Sequence, residues 1–166
     1  SGNSIQNAST GFSFDGVSAS SAEGNSISDV GVGVLAISST GLSFRSNFVA
    51  NSSEPAFELI FSSGSSFSQC NVSNASAAFS FLGSSGNLVE DSLIDGASPA
   101  FSSSAFGSEA RSSNTVLNSS FNRSAIYNDV ESELAIKWYV RANATMYGVP
   151  VEGAFVNMTD AWGNYS

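Results

Sequence analysis

Three neighbouring carboxylates, Glu90, Asp91 and Asp95, are the residues of this sequence best placed to do acid–base chemistry. Two carboxylates about 5–10 Å apart can cleave a glycosidic bond, one as the acid and the other as base or nucleophile. The chain has no His, however, and no Lys accompanies the three acids. A repeat described below instead brings Arg111 close to Glu90, which favours a surface ion pair. We therefore predict no catalytic residue and no enzymatic activity.

Cys70 is the second candidate, because it is the single cysteine of the chain. One Cys excludes an internal disulfide and a cysteine-based zinc site, and the lack of His removes the commonest metal ligand. No neighbouring cation or imidazole is present to lower the pKa of Cys70, so a small inward-facing residue is favoured over a reactive thiol. Calcium at Asp91 or Asp95 lacks a loop motif. We predict no metal and no cofactor.

Asparagine is the third candidate, as an acceptor of N-linked glycans. The chain contains nine Asn-x-Ser/Thr sequons, at Asn7, Asn51, Asn71, Asn74, Asn118, Asn122, Asn143, Asn157 and Asn164. Four of them are predicted to share one corner of a repeat: Asn7, Asn51, Asn74 and Asn118. That corner would carry either a column of glycans or an inward asparagine ladder, and both alternatives stay open. Asn143 and Asn157 fall on the polar face of a predicted hairpin and are the better glycan candidates.

The composition indicates a folded, weakly charged protein. Of 166 residues, 42% are hydrophobic and only 11% are charged, and 13 Phe residues argue against disorder. A net charge of −9 with scattered cations excludes a nucleic-acid partner. No stretch is long and apolar enough to span a membrane. No segment has the features of a signal peptide either, so we expect a mature or excised piece.

A repeat of 22 residues organises these candidates. β-Branched residues recur at that interval, with a single one-residue slip, at Ile5, Ile27, Val49, Val72, Ile94 and Val116. A second column contains Phe12, Val34, Phe57, Phe79 and Phe101, and a third contains Ala22, Phe44, Phe67 and Val89. The slip is predicted near Glu54 and Pro55. Self-similarity at a fixed period is the signature of a solenoid.

Each repeat predicts three short strands, because residues two apart share a face and no segment shows a helical period. Stacked in register, about five to six such rungs form a parallel β-helix. Two residues before each anchor lies an Asn or a small residue: Asn3, Asn25, Asn47, Cys70, Ser92 and Asn114. An Asn at a rung corner can bond the neighbouring backbone and its own copies above and below. Glu23 and Arg45 share another column, which suggests structural pairing.

The repeat is predicted to stop in the sixth rung, where Arg123 falls in the Phe column. From Leu134 to Ala142 apolar and polar residues alternate, as in one long half-buried strand, and Gly148 with Pro150 turns the chain into a second such segment. We therefore divide the chain into a β-helix at residues 1–130 and a partial antiparallel Ig-like β-module at residues 131–166. The second part is too short to complete a sandwich.

The Asn-x-Ile rungs resemble NosD-like right-handed β-helix repeats over residues 2–128. The tail, WYVRANATMYGVPVEGAFVNMTDAWGN, resembles the Ig-like or carboxypeptidase-regulatory-like modules that follow such β-helices in large archaeal surface proteins. The resemblance implies a right-handed coil in an extracellular, modular protein, often within a surface layer or an adhesive structure. Copper delivery, to which NosD is linked, does not carry over, because the chain has no His, two Met and one Cys.

These observations predict a structural protein of the cell surface, a subunit of a surface layer, sheath or filament. Neither end of the coil shows an evident cap, and open strand edges favour stacking on copies of itself or on neighbouring domains. The alternative is a carbohydrate-binding or polysaccharide-cleaving module. Exposed aromatic residues would favour that alternative, whereas the periodic Phe columns are predicted to be core.

Overall fold

The computed structural model describes residues 1–107 and 110–139, together with the backbone of four two-residue strands beyond them. Within these residues the chain is an all-β parallel solenoid with no helix. Two of its sheets contain six strands and one contains five, and equivalent residues of successive rungs are typically 22 apart. The predicted parallel coil is therefore confirmed.

Each of the first five rungs contributes one strand to each of three sheets, and the sixth contributes a strand to the second and third sheets. The first sheet contains β1 (Ser4–Gln6), β4 (Ser26–Val30), β7 (Phe48–Ser52), β10 (Asn71–Ala75) and β13 (Leu93–Asp95). The second contains β2 (Thr10–Asp15), β5 (Val32–Ile37), β8 (Phe57–Ile60), β11 (Phe79–Leu82), β14 (Phe101–Ser104) and β16 (Ile126–Asn128). The third contains β3 (Ser21–Glu23), β6 (Ser43–Arg45), β9 (Ser66–Ser68), β12 (Ser85–Glu90), β15 (Ser113–Leu117) and β17 (Glu133–Lys137).

The strands form because inward apolar residues alternate with outward small or polar ones. In β8, for example, Phe57 and Leu59 are buried while Glu58 is half-exposed. The strands are short because residues in the left-handed region turn the chain at the corners. At the corner after the first sheet these residues are Asn7, Asp29, Asn51 and Asn74, with φ between 51° and 55°. Asn and Asp adopt this conformation more readily than other non-glycine residues.

The predicted register is confirmed through the first five rungs, because the anchors from Ile5 to Ile94 are partners along the first sheet. The slip is also where the sequence predicts it. Val30 pairs with Ser52, whereas Val34 pairs with Phe57, so the additional residue lies between these two pairs. The chain accommodates it at a corner, outside the paired strands.

The predicted position of the sixth anchor, in the first sheet, is wrong. Val116 pairs with Val89 in the third sheet instead of following Ile94 in the first. Equivalent positions of these two rungs are 27 residues apart, because the fifth rung has a longer connection between β14 and β15. The Ile94 N–H donates to the Ser120 carbonyl, which makes Phe121 the next residue of the first column.

The same longer connection explains why two further predictions about the sixth rung are wrong. Ile126 pairs with Phe101, so Ile126 and not Arg123 continues the Phe column. Glu133–Lys137, predicted to begin an antiparallel module, pairs in parallel with β15 and is the sixth strand of the third sheet. The coil thus extends past residue 130.

Most of the remaining predicted module lies outside the described residues. Beyond the coil, β18 (Thr145–Met146) pairs antiparallel with β19 (Val149–Pro150), and β20 (Thr159–Asp160) with β21 (Gly163–Asn164). An Ig-like module therefore stays a prediction.

Stacked phenyl rings form the centre of the core. Phe79 is fully buried between Phe57, at a centroid distance of 4.8 Å, and Phe101, at 5.5 Å, with interplanar angles of 8° and 13°. Phe44 and Phe67 form a second stack at 4.9 Å. The two stacks meet edge to face, in a geometry that aromatic rings favour. The predicted burial and stacking of Phe79 are confirmed.

Candidate functional site

The first internal corner carries the predicted asparagine ladder. The backbone N–H and Nδ2 of Asn25 both donate to Oδ1 of Asn47, at 3.1 and 2.8 Å. Asn3 donates to Asn25 in the same way, and Asn47 Nδ2 donates to the Ala22 carbonyl. These bonds satisfy polar groups that burial would otherwise leave unpaired. The ladder continues through Cys70, Ser92 and, in place of the predicted Asn114, Ser119.

Two further ladders, absent from the sequence prediction, lie side by side where the chain passes from the second sheet to the third. One runs through hydroxyls that accept backbone N–H groups, at Ser39, Ser62, Ser84 and Ser112. The other runs through Ser65, Asn87 and Asn114, where Asn87 donates from its backbone and from Nδ2 to Asn114 Oδ1. The signal for the latter is Asn-x-Val at Asn87 and Asn114, the same motif that marks the first corner.

Cys70 occupies an asparagine position of the first ladder and is fully buried, as predicted. Its Sγ lies 3.5 Å from the Phe44 carbonyl oxygen and 3.6 Å from that of Ser68. Burial raises the pKa of the Cys70 thiol, although hydrogen bonding with Asn47 and Ser68 acts in the opposite direction. A buried thiol with a raised pKa is a poor nucleophile, which agrees with the structural interpretation.

The carboxylates predicted to cluster are distributed over different elements. Glu90 ends β12 in the third sheet, Asp91 lies at the following corner and Asp95 ends β13 in the first sheet. Asp91 accepts a hydrogen bond from Asn118 Nδ2. Among the described residues, no group of three or more His, Cys, Asp or Glu side chains is arranged to hold a metal ion.

The ion pair predicted between Arg111 and Glu90 is wrong. Arg111 pairs instead with Glu131, at 3.0 Å between Nη2 and Oε2. The longer fifth rung explains the error, because Val116, and not Arg111, is the partner of Val89. Glu23 and Arg45 are register partners, as predicted, but Arg111–Glu131 is the only ion pair within the described part of the chain.

Glu58 is a carboxylate that the sequence analysis did not single out. It projects from the outer face of the second sheet and is half-exposed. Partial burial raises the pKa of Glu58, and the nearby negative charge of Glu54 raises it further. In the sixth rung, Asp129 shows the opposite effect, because the neighbouring Ser132 hydroxyl and hydrogen bonds from the Ala105 and Glu131 N–H groups lower its pKa.

Sequons at the corner after the first sheet form a ladder on the outside of the coil. Asn51 Nδ2 donates to Asp29 Oδ1 at 3.1 Å, and Asn74 Nδ2 donates to Asn51 Oδ1 at 3.0 Å. Asn7 occupies the same corner, and all four side chains are exposed. The inward alternative for this ladder is therefore wrong. Asn118 belongs to a different corner, next to Asp91.

The other sequons are distributed differently. Asn71 is exposed on β10, and Asn122 Oδ1 caps a turn by accepting the Ser124 backbone N–H and hydroxyl, at 3.1 and 2.8 Å. Asn143 and Asn157 lie outside the described residues, as does the side chain of Asn164. Glycosylation of every sequon stays a prediction.

Exposed aromatic and apolar residues are concentrated in the sixth rung. Those of the sixth rung are Tyr127, Val130, Ile136, Trp138 and Tyr139, with exposed fractions from 38% to 98%, and the earlier rungs expose Phe48, Phe61, Leu93 and Phe106. The Arg123 guanidinium lies 4.9 Å from the centre of the Trp138 ring. Beside Tyr127, a shallow open groove is lined by Ser98, Pro99, Ser102 and Ser124. These side chains offer a surface for a partner or a ligand.

Stacked three-strand rungs place this chain among the parallel β-solenoids. The family model described as the right handed beta helix region matches residues 10–154, and the chain belongs to that family. No curated protein matches the chain. Among the described residues, no helix is long and apolar enough to cross a membrane.

Proposed function

We propose that this chain is a structural component of the cell surface, a subunit of a surface layer, sheath or filament. The observation that carries the proposal is the exposed apolar surface of the sixth rung, which includes Trp138 and Tyr139. Exposed apolar side chains concentrated at one end of a folded protein are typical of an interaction site. Its proposed partner is another copy of the chain or a neighbouring domain of the same surface protein.

The edge of β17 supports the same proposal. This strand is the outermost of the third sheet within the described residues, and its Ile136 is 38% exposed. A neighbouring strand that paired with this edge would satisfy its free backbone groups and cover Ile136. Contact at this end would extend the coil along its own axis, as a filament or a lattice requires.

The internal bonding of the coil suits a mechanical role. Three buried side-chain ladders connect successive rungs, one at the first internal corner and two between the second and third sheets, in addition to the backbone bonds of the sheets. A rod in which each rung is hydrogen-bonded to the next at so many points resists local opening. An extracellular location, as the resemblance to archaeal surface proteins implies, completes the proposal, together with N-linked glycans on some of the exposed sequons.

The proposal is tested by imaging the native assembly and by replacing the exposed aromatic pair. The double variant Trp138→Ser/Tyr139→Ser should shift the chain from assembly to monomer in sedimentation over a concentration series. Phe48→Ser, which removes an exposed ring from the first sheet, is the matched control and should assemble as the wild type does. A wild-type chain that stays monomeric, with Trp138 exposed in every state, would contradict the proposal.

Tyr127 favours a second candidate function, a carbohydrate-binding module. It is 56% exposed beside a groove that offers the hydroxyls of Ser102 and Ser124. An aromatic ring next to hydroxyl groups can stack on a sugar and bond it. Tyr127→Ala should then abolish binding of a polysaccharide that the wild type retains on an affinity gel.

We propose no catalytic activity for either function. The separation of Glu90, Asp91 and Asp95 over different elements supports this, because glycoside hydrolysis requires two carboxylates that face one bond. The test is an assay on acidic polysaccharides. Turnover that disappears in Glu90→Gln/Asp91→Asn would overturn the proposal.

A further inference from the structure

The outer face of the first sheet carries one apolar pair on a largely polar column. Phe48 and Leu93 are 42% and 51% exposed, on β7 and β13. Asn71 lies between them and is the register partner of both. The other positions of the column are serines, at Ser4, Ser26 and Ser120. Since neighbouring strands are about 4.8 Å apart, the two apolar side chains flank the Asn71 amide on either side.

The Asn71 amide is oriented so that its nitrogen is available. Oδ1 accepts the Leu93 N–H at 3.3 Å, which turns Nδ2 away from that strand. Within residues 1–107 and 110–139, Nδ2 of Asn71 has no hydrogen-bond partner. Asn71, Val72 and Ser73 form a sequon, and Ser73 is half-exposed. The acceptor nitrogen therefore lies at the surface between two apolar side chains.

The sequons of the outer corner differ from Asn71 in the availability of the acceptor nitrogen. Nδ2 of Asn51 and Nδ2 of Asn74 each donate to the preceding rung of the ladder, to Asp29 and to Asn51. A transferase acting on the folded chain would have to break these bonds first. The corner therefore provides an internal comparison for Asn71.

We propose that Asn71 carries an N-linked saccharide whose first sugar covers Phe48 and Leu93. The proposal rests on the proposed surface location, because the chain must meet a glycosyltransferase outside the cytoplasm. The transfer forms a bond from sugar C1 to Nδ2 and breaks the C1–oxygen bond of a sugar phosphate donor. The amide nitrogen loses one proton and the phosphate leaves. One face of a pyranose carries C–H groups that pack on an aromatic ring, while its hydroxyls remain in water.

The experiment is peptide mass mapping of the chain isolated from the cells that produce it. We expect the peptide containing Asn71 to carry a saccharide mass in most molecules. Ser73→Ala removes this sequon but retains Asn71 and its bond to Leu93. Ser53→Ala removes the sequon of Asn51 and is the matched control. Loss of the saccharide in Ser73→Ala should increase binding of a fluorescent hydrophobic dye, whereas Ser53→Ala should leave dye binding unchanged.

A third variant identifies the surface that the saccharide covers. Adding Phe48→Ser and Leu93→Ser to Ser73→Ala should return dye binding to the wild-type level, with an unchanged circular dichroism spectrum. An unmodified Asn71, or a Ser73→Ala variant that loses its saccharide without binding more dye, would overturn the inference. A chain found at the cell surface with bare Asn71 contradicts this inference alone. A chain that is never at the surface contradicts the proposed function.

Discussion

The early rungs and the last two rungs differ in how strictly the chain repeats. Equivalent residues of the early rungs are 22 or 23 apart, whereas 27 residues separate Asn87 from Asn114. Val89 and Val116 are nevertheless register partners. The coil therefore preserves columns of inward side chains, and it places additional residues in the connections between strands.

The two regions also differ in how completely they cover their apolar residues. Phe57 and Phe79 are fully buried, with rungs on both sides. In the sixth rung Phe121 and Leu134 are only partly buried, and the aromatic residues after them are exposed. The early rungs thus cover their own inward apolar residues, whereas the last rung leaves several apolar side chains exposed.

Replacing a phenyl ring by alanine should reveal the largest difference in stability between the two regions. Phe79→Ala should lower the free energy of unfolding by about 3–5 kcal/mol, because it leaves a cavity between two stacked rings. Phe121→Ala should cost clearly less, since part of that ring is already in water. Chemical denaturation of both variants measures the difference. Equal losses would show that the last rung is as tightly packed as the fourth.

Loss of a buried ladder residue should have the second-largest effect on stability. Asn87→Ala leaves the Ser65 N–H and the Ser62 carbonyl without their partners, which should cost about 1–3 kcal/mol. Asn51→Gly removes a side chain of the exposed outer ladder without straining the left-handed φ of 51°, and it should be nearly neutral because water replaces the lost bonds. Thermal unfolding of the pair tests this. A similar loss in both would mean that the position of a ladder, inside or outside, does not decide its contribution.

The aromatic contact made by the longer connection of the fifth rung should contribute less to the free energy of unfolding than a buried ladder residue. The Phe106 ring packs edge to face on Phe61 at 5.0 Å, and both rings are largely exposed. Phe106→Ser should therefore cost about 0.5–1.5 kcal/mol, the usual value of an aromatic pair. Urea titration provides the measurement, with Phe61→Ser as the control that removes the other ring. A larger loss would indicate that this connection stabilises the coil itself.

The pH dependence of stability should have opposite signs in the two regions. The raised pKa of Glu58 means that the folded chain binds this proton more readily than the unfolded chain. Stability from Glu58 is thus lost as pH rises from its ordinary value, 4.5, through the raised value. Glu58→Gln should be more stable than the wild type above that window, by only about a few tenths of a kcal/mol because solvent screens the site.

Asp129 in the sixth rung should behave in the opposite way. Its pKa is lowered in the folded chain, so its contribution is present above the ordinary value of 3.8 and is lost as pH falls through the lowered one. Asp129→Asn should therefore be less stable than the wild type at neutral pH, and the difference should vanish in acid. Thermal unfolding between neutral pH and strong acid would show both effects. A constant difference at all pH values would contradict the assignment.

The sequence predicted the early rungs well because their side chains identify each position. Ile and Val in the first sheet and Phe in the second recur at a fixed interval, so counting recovers their stacking. Counting failed at Val116 because Asn114-x-Val116 has the same form as Asn25-x-Ile27, although the two lie at different corners. The Ser-rich connection before Val116 contains no residue that marks its length.

The direction of β17 could not be predicted for a different reason. Alternation of apolar and polar residues has the same period in parallel and antiparallel strands. Leu134 and Ile136 therefore fit either arrangement, and only the partner strand decides between them. The Arg111–Glu131 ion pair depends on the same long-range register, so it could not be predicted from the sequence either.

The buried position of Cys70 allows the opening of the middle of the coil to be measured by thiol labelling. A soluble alkylating reagent reacts with thiolate, and this thiol is fully buried against the Phe44 and Ser68 carbonyls. Labelling therefore waits for neighbouring rungs to separate, and its rate relative to an unfolded peptide reports how often they do so. With no second cysteine in the chain, the signal comes from this place alone. The same delay protects the protein from intermolecular cross-linking in oxidising surroundings, for as long as the coil stays closed.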